Sequence, residues 1–114
     1  MTRDELHAAA MALPGATLDI KWGDDHCYCV GGKMFAATDG AYTGLSFKAS
    51  DIAFEALTES GQASPAKYLA RAKWVTLEDL AAQDAAEVAD WMATAHGLVA
   101  AKLSRKQRAE LGIA

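Results

Sequence analysis

The chain has 114 residues, 52% of them apolar and many of those alanine, with 11 basic against 15 acidic groups and a formal net charge of −4. That length supports one domain, residues 1–114, with a hydrophobic core that needs no disulfide or metal staple. The acidic balance excludes a protein that coats nucleic acid by bulk electrostatics, since phosphate neutralisation is the main sequence-independent source of such affinity, and no run nears the roughly 18 consecutive apolar residues of a membrane span.

Taken from the start, Thr2 and Glu5 form a capping box, and Leu6, Ala9, Ala10 and Leu13 then share one helical face before Pro14-Gly15 stops the run. Thr17 to Trp22 alternates with period two and predicts a strand that turns at Gly23-Asp24-Asp25. Strand formers then flank Gly31-Gly32, a pair that can adopt the positive φ of two-residue hairpin turns. Asp39-Gly40 is a second hairpin signal, leading into a strand over Tyr42 to Lys48 with Thr43, Leu45 and Phe47 on one face. The middle of the chain thus reads as an antiparallel meander of about four strands.

Ser50 caps a predicted helix holding Ile52, Ala53, Phe54 and Leu57, and Ser64-Pro65 reads as the cap and first-turn proline of a second short helix. Lys73 to Leu77 returns to strand character. Asp84 and Glu87 then cap a long helix whose Val88, Trp91, Met92, Ala95, Leu98, Val99 and Leu103 keep the 3.6-residue period. The fold class is α+β: an antiparallel sheet meander with an N-terminal helix and a long C-terminal helix packed on it.

Chemistry is harder to find. Alternation along the strand puts His26 on the face opposite Cys27 and Cys29, so the one adjacent base does not serve a nucleophilic cysteine. Asp24, Asp25, His26 and a cysteine are suitable metal-ligand types, but their spacing fits no standard ligand pattern. No paired-carboxylate motif, phosphate-binding loop or dinucleotide fingerprint occurs. The expectation is a protein with no catalytic residue, cofactor or metal that is not an enzyme. Trp22, Phe35, Phe47, Phe54, Trp74 and Trp91 fall on patterned faces and are expected in the core, whereas Tyr28 and Tyr42 are expected to be exposed or to line a groove.

Positive charge is concentrated in two segments. Residues 61–74 carry three basic groups and no acid, and residues 96–114 carry four and one, while 75–95 carry none and five. Lys67 and Arg71 are four apart and expected on one helical face, and Ser104 can cap a short final helix presenting Lys102, Arg105, Lys106 and Arg108.

Several segments occur in a telling order: Leu13-Pro14-Gly15-Ala16, Trp22-Gly23, Val30 to Ala36, Lys73-Trp74-Val75, then a long helix ending near Lys102-Leu103. In these the chain resembles the MmcQ/YjbR family of small bacterial proteins. The resemblance implies a CyaY-like fold and no established catalytic motif. It also implies a DNA-binding role, assigned in that family from the likeness of its sheet to the double-wing domain of a phage transcription factor. The chain departs from the family in the long helix, where Ala95-His96 replaces the usual Ser-Tyr pair.

Two functional readings follow. In the first, a non-enzymatic DNA-binding module lays its hairpins on double-stranded DNA and meets phosphate with Lys33, Lys48, Lys67, Arg71, Lys73, Arg105 and Lys106. In the second, a sheet face or cleft beside Trp22, Tyr28 and Tyr42 receives an unknown small molecule or protein. No membrane partner is expected. The start Thr2-Arg3-Asp4-Glu5 lacks the basic-then-apolar layout of a signal peptide, so a cytoplasmic location is the expectation.

Overall fold

The computed structural model describes residues 1–113. Helix α1 (Arg3–Met11) starts at the anticipated capping box, in which the Thr2 hydroxyl accepts from the Glu5 N–H at 3.1 Å and the Glu5 carboxylate accepts from the Thr2 N–H at 2.8 Å. Four strands follow: β1 (Ala16–Lys21), β2 (Asp25–Val30), β3 (Lys33–Thr38) and β4 (Leu45–Lys48). Helix α2 (Asp51–Glu59), strand β5 (Ser64–Pro65), a 3-10 turn at Ala70–Ala72 and strand β6 (Trp74–Leu77) lead to a second 3-10 turn at Leu80–Ala82. Helices α3 (Ala85–Ala100) and α4 (Arg105–Glu110) complete the fold. Among the described residues no helix is long and apolar enough to cross a membrane.

The strands form one antiparallel sheet in the order β1-β2-β3-β4-β6-β5. The expected four-strand meander is present as β1 to β4, and two further strands extend it. Ser64-Pro65 corrects the expectation of a second short helix: Ser64 pairs with Thr76 and Pro65 with Val75. Proline fits both settings, because an edge strand, like a first helical turn, asks for no N–H from it. The bonds to β6 decide between them. Lys67 and Arg71 consequently do not share a helical face.

Helices α1 and α3 pack on one face of the sheet. That face carries Tyr28, Val30, Phe35, Leu45, Phe47, Val75 and Leu77, all buried against Leu6, Val88, Met92, Ala95 and Val99. The alanines of α3 let helix and sheet approach closely, and Phe47 stacks on Trp91 with centroids 5.8 Å apart and rings 11° from parallel. A bulge in β3 helps fill this layer. Tyr28 pairs with Ala36 and Cys29 with Met34, so Phe35 is the extra residue and its ring turns into the core beside Ala36. Met34 and Ala37 are left on the other face of the sheet, with Cys27, Ser46 and Thr76.

The register sets which groups meet at each end. Ala16, Val30, Lys33, Lys48 and Trp74 fall at one end of their strands; Lys21, Asp25, Thr38, Leu45 and Leu77 fall at the other. At the first end Gly31, with φ +58, lies under Leu103, and a Cβ there would stand 2.7 Å from the Leu103 Cδ1 atom. Gly32 has φ +79 with open space around it. Gly32→Ala should therefore cost only backbone strain, about 1 kcal/mol, and Gly31→Ala about 2–3 kcal/mol because Leu103 must also move. Urea unfolding of the two variants checks this; equal losses would show that Leu103 does not constrain the turn.

Candidate functional site

The end of the sheet that holds Gly31 gathers the basic residues. The Lys48 ammonium donates to the carbonyl of Ala72, which places it between Arg71 and Lys73. Burial, and then the nearby positive charge of Lys102, hold Lys48 below the ordinary lysine value, while Asp51 acts in the opposite direction. A lysine from β4, two basic residues around a 3-10 turn and a lysine after α3 thus share one location. Lys33 follows the Gly31-Gly32 turn, and Lys102 precedes the leucine seated on it. The Lys73 ammonium lies 5.0 Å from the centre of the Phe54 ring, a cation–π contact.

Ser104 caps α4 as anticipated, its hydroxyl accepting from the Gln107 N–H at 3.1 Å, and this sets exposed Arg105 and Lys106 just beyond the same end. Of the residues expected to meet phosphate, Lys33, Lys48, Arg71, Lys73, Arg105 and Lys106 thus lie towards this end of the sheet, whereas Lys67 lines the uncovered sheet face. Lys102 was not in that set. Its pattern placed it in the C-terminal cluster, but only tertiary packing brings it within electrostatic reach of Lys48.

The opposite end is acidic. The β1–β2 loop carries Asp24 and Asp25, the β3–β4 connection Asp39, and the segment after β6 Glu78, Asp79 and Asp84. The net charge of −4 thus conceals a separation of charge along the strands.

The uncovered face forms a groove of about 720 Å³. Cys27, Met34, Ala37, Ser46, Thr76 and Trp74 line it, with Trp22 and residues 65–69 also on its walls and Asp25 and Glu78 at the acidic end. A smaller cavity of about 330 Å³ adjoins it there, shared through Asp25, Ala37, Ser46 and Thr76. Trp22 was expected in the core. Instead it occupies the β1–β2 loop with φ +50 and is 80% exposed, because the strand ends one residue earlier at Lys21. Tyr68, also on the groove, is 98% exposed with φ +66.

Tyr28 and Tyr42 reverse in the opposite sense. Both are buried on the helix-covered face, at 0% and 6% exposure, where they form the middle of a hydrogen-bonded chain. His7 Nδ1 lies 2.9 Å from the Tyr28 hydroxyl, the two tyrosine hydroxyls are 2.8 Å apart, and His26 Nδ1 lies 3.0 Å from the Tyr42 hydroxyl. Arg3 lies over the Tyr42 ring at 4.7 Å. Proton counting gives this chain a direction. With two hydroxyl hydrogens for three bonds, one histidine must donate through Nδ1 while the other accepts. If both donated, one buried hydroxyl hydrogen would lose its partner.

His96, at the family departure, has a separate structural role. Its Nε2 donates to the Pro14 carbonyl at 2.7 Å and its ring meets Phe35 edge-on, with centroids 5.4 Å apart, tying α3 to the corner before β1.

The two cysteines lie on the groove side and are free and buried. Burial pushes both thiols above the ordinary cysteine value, the opposite of what a thiolate nucleophile needs. His26 faces away from them, towards Tyr42. Among the described residues no group of three or more His, Cys, Asp or Glu side chains is placed to hold a metal ion.

A single antiparallel sheet with helices on one face, a groove on the other and a basic end defines a small α+β protein. The YjbR family profile matches residues 11–98, and the chain belongs to the YjbR family. Among solved structures it is similar to protein DR2400 of Deinococcus radiodurans, described as a DUF419 domain. The TM-score is 0.86 at 24% identity, over 99% of this chain and 89% of that one, a likeness of fold. No curated protein matches the chain.

Buried Tyr28 carries a pH dependence. Burial, then the hydrogen bond with Tyr42, pushes the Tyr28 hydroxyl well above the ordinary tyrosine value. In the unfolded chain a tyrosine ionises near about pH 10, so the unfolded state releases this proton first. Tyr28 therefore contributes stability that is complete below about pH 10 and is lost as pH rises towards the folded value. Urea unfolding across the alkaline range should show a decline that is shallower in Tyr28→Phe. That variant should also lose about 1–2 kcal/mol at neutral pH, through the partners left on His7 and Tyr42. Identical alkaline slopes would show that Tyr28 ionises like a free tyrosine.

Proposed function

We propose that this protein is a non-enzymatic nucleic-acid-binding module that meets phosphate with the basic end of its sheet. The observation that carries the reading is the convergence on Lys48, which bonds to the carbonyl between Arg71 and Lys73 and lies within electrostatic reach of Lys102. Two basic segments about thirty positions apart in sequence thereby form one surface, extended by Lys33, Arg105 and Lys106. The partial engagement of Lys48 with a carbonyl and of Lys73 with an aromatic ring leaves Lys33, Arg71, Lys102, Arg105 and Lys106 as the freer phosphate contacts.

The acidic end limits how nucleic acid can lie. A duplex laid flat along the strands would meet Asp25 and Glu78 as well as the lysines, so an approach at the basic end is favoured. The DNA-binding role assigned to the YjbR family agrees with this reading as an analogy of fold. A small-molecule-binding role is the second reading, and the groove with its two exposed aromatic rings is what favours it.

Fluorescence-anisotropy titration with a labelled duplex and a single strand, at low and physiological salt, tests the proposal. About four to five phosphate contacts should give a slope of log K against log salt near −4 for a duplex and near −3 for a single strand. The double charge reversal Arg71→Glu with Lys73→Glu should weaken binding by at least about tenfold and flatten the slope by roughly two contacts. No saturable binding of either probe at low salt would overturn the reading.

A further inference from the structure

We propose that the groove on the uncovered sheet face takes an unpaired nucleobase stacked on Tyr68, from a single strand whose phosphates follow the basic end. This inference rests on the nucleic-acid reading above and adds a groove contact that only a single strand can make.

The local backbone shows why Tyr68 is singled out. Ala66 to Leu69 is a tight turn closed by the Leu69 N–H donating to the Ala66 carbonyl at 3.3 Å, with Lys67 and Tyr68 as its central residues. The turn is fastened to β6 on both sides: the Ala66 N–H donates to the Trp74 carbonyl at 3.0 Å, and the Trp74 N–H to the Leu69 carbonyl at 3.2 Å. A positive φ at the second central position is one that glycine or asparagine ordinarily fills. Tyrosine there is strained, and a ring 98% exposed gains almost no packing in return. Trp22, on the same groove, repeats the combination, with φ +50 and 80% exposure. Neither ring serves the core. Both are held by defined backbone at the edge of one concave surface, the arrangement that stacking on a planar heterocycle requires.

Charge gives the ligand its orientation. Lys67 adjoins Tyr68 and Arg71 follows three residues later, whereas Asp25 and Glu78 line the groove towards its acidic end. Phosphate is drawn to the Tyr68 side and repelled from the far side, so the backbone stays at the basic end and the base points inward. Ser46 and Thr76, their hydroxyls 2.8 Å apart on the floor, supply donors and acceptors for a base edge. A duplex keeps its bases paired and stacked, and could not deliver one to the groove without opening. The groove volume of about 720 Å³ lies within the usual range for small-ligand clefts.

The test uses the full chain and Tyr68→Gly, a substitution that relieves the backbone strain and should raise the melting temperature, so lost binding cannot be blamed on unfolding. Tyr68→Phe keeps the stacking surface. Anisotropy with a short single strand and a duplex of the same sequence should show Tyr68→Gly weakening the single strand about tenfold or more, while Tyr68→Phe restores it and duplex binding is unchanged. If charge reversal at Arg71 and Lys73 abolished binding while Tyr68→Gly left the single strand unaffected, the stacking proposal would fall and the phosphate reading would stand. If neither nucleic acid bound at low salt, both would fall. Free adenosine and thymidine, followed by tryptophan fluorescence, form the remaining arm: nucleoside binding as strong as that of the strand and indifferent to Arg71 and Lys73 would assign the groove to a free base and overturn the strand.

Discussion

The seating of Leu103 on Gly31 is the contact on which the arrangement of the basic end depends. A hairpin turn is usually free to move with solvent, but this one has a buried leucine against its first glycine, in the space a side chain would occupy. The exit of α3 is thereby fixed against the β2–β3 hairpin, and with it Lys102 on one side of the leucine and the Ser104 cap on the other. From there the sheet register carries the constraint onward. Lys48 ends β4 opposite Trp74, the 3-10 turn before Trp74 offers the Ala72 carbonyl, and the lysine reaches it. Positive groups that repel one another are held together because each is attached to an element whose position apolar packing has already set.

Packing on only one face of the sheet explains how the same strands supply both a core and a groove. On the covered face Phe35, Phe47, Leu45, Val75 and Leu77 are almost fully buried against α1 and α3, and each such side chain contributes about 1.5–3 kcal/mol on removal from water. The other face is lined by Cys27, Ala37, Ser46 and Thr76 together with Met34 and Trp74, and among the described residues no helix covers it. The loop at residues 65–69 rises beside them as a wall. Placing the tyrosine-histidine chain in the helix-covered layer gives the core a hydrogen-bonded inset whose partners must all be present at once.

Much of this was legible where the signal is local. The Thr2–Glu5 box, the Ser104 and Asp84 caps and the Gly31-Gly32 turn each depend on residues within three positions of one another, and the backbone follows them. What failed needed knowledge of a neighbour. Alternation correctly set His26 and Tyr28 opposite Cys27 and Cys29, but it does not say which face the helices cover, so the tyrosines were assigned to the wrong side. A period-two pattern does not mark its own last residue, so it predicts Trp22 in the core when the strand ends at Lys21. Ser64-Pro65 satisfies two local grammars, and pairing with β6 selects between them. That Lys48 feels the charge of Lys102 could not be read from sequence, since fifty-three residues, including α2, β5, β6 and α3, lie between them.

The distribution of backbone strain ties these features together. Among the described residues four that are not glycine have positive φ: Trp22, Tyr42, Tyr68 and Lys73. None lies within a regular helix or strand, and each costs about 1–2 kcal/mol relative to a relaxed conformation. Tyr42 recovers that cost in place, through burial and bonds to two partners. Lys73 recovers part of it through Phe54 and the β6 start it enables. Trp22 and Tyr68 recover almost nothing from the folded chain itself, as exposures of 80% and 98% show. Strain that folding does not repay is tolerated where another interaction uses the geometry it maintains. Both uncompensated positions border one groove, and the second sits between the basic end and that groove.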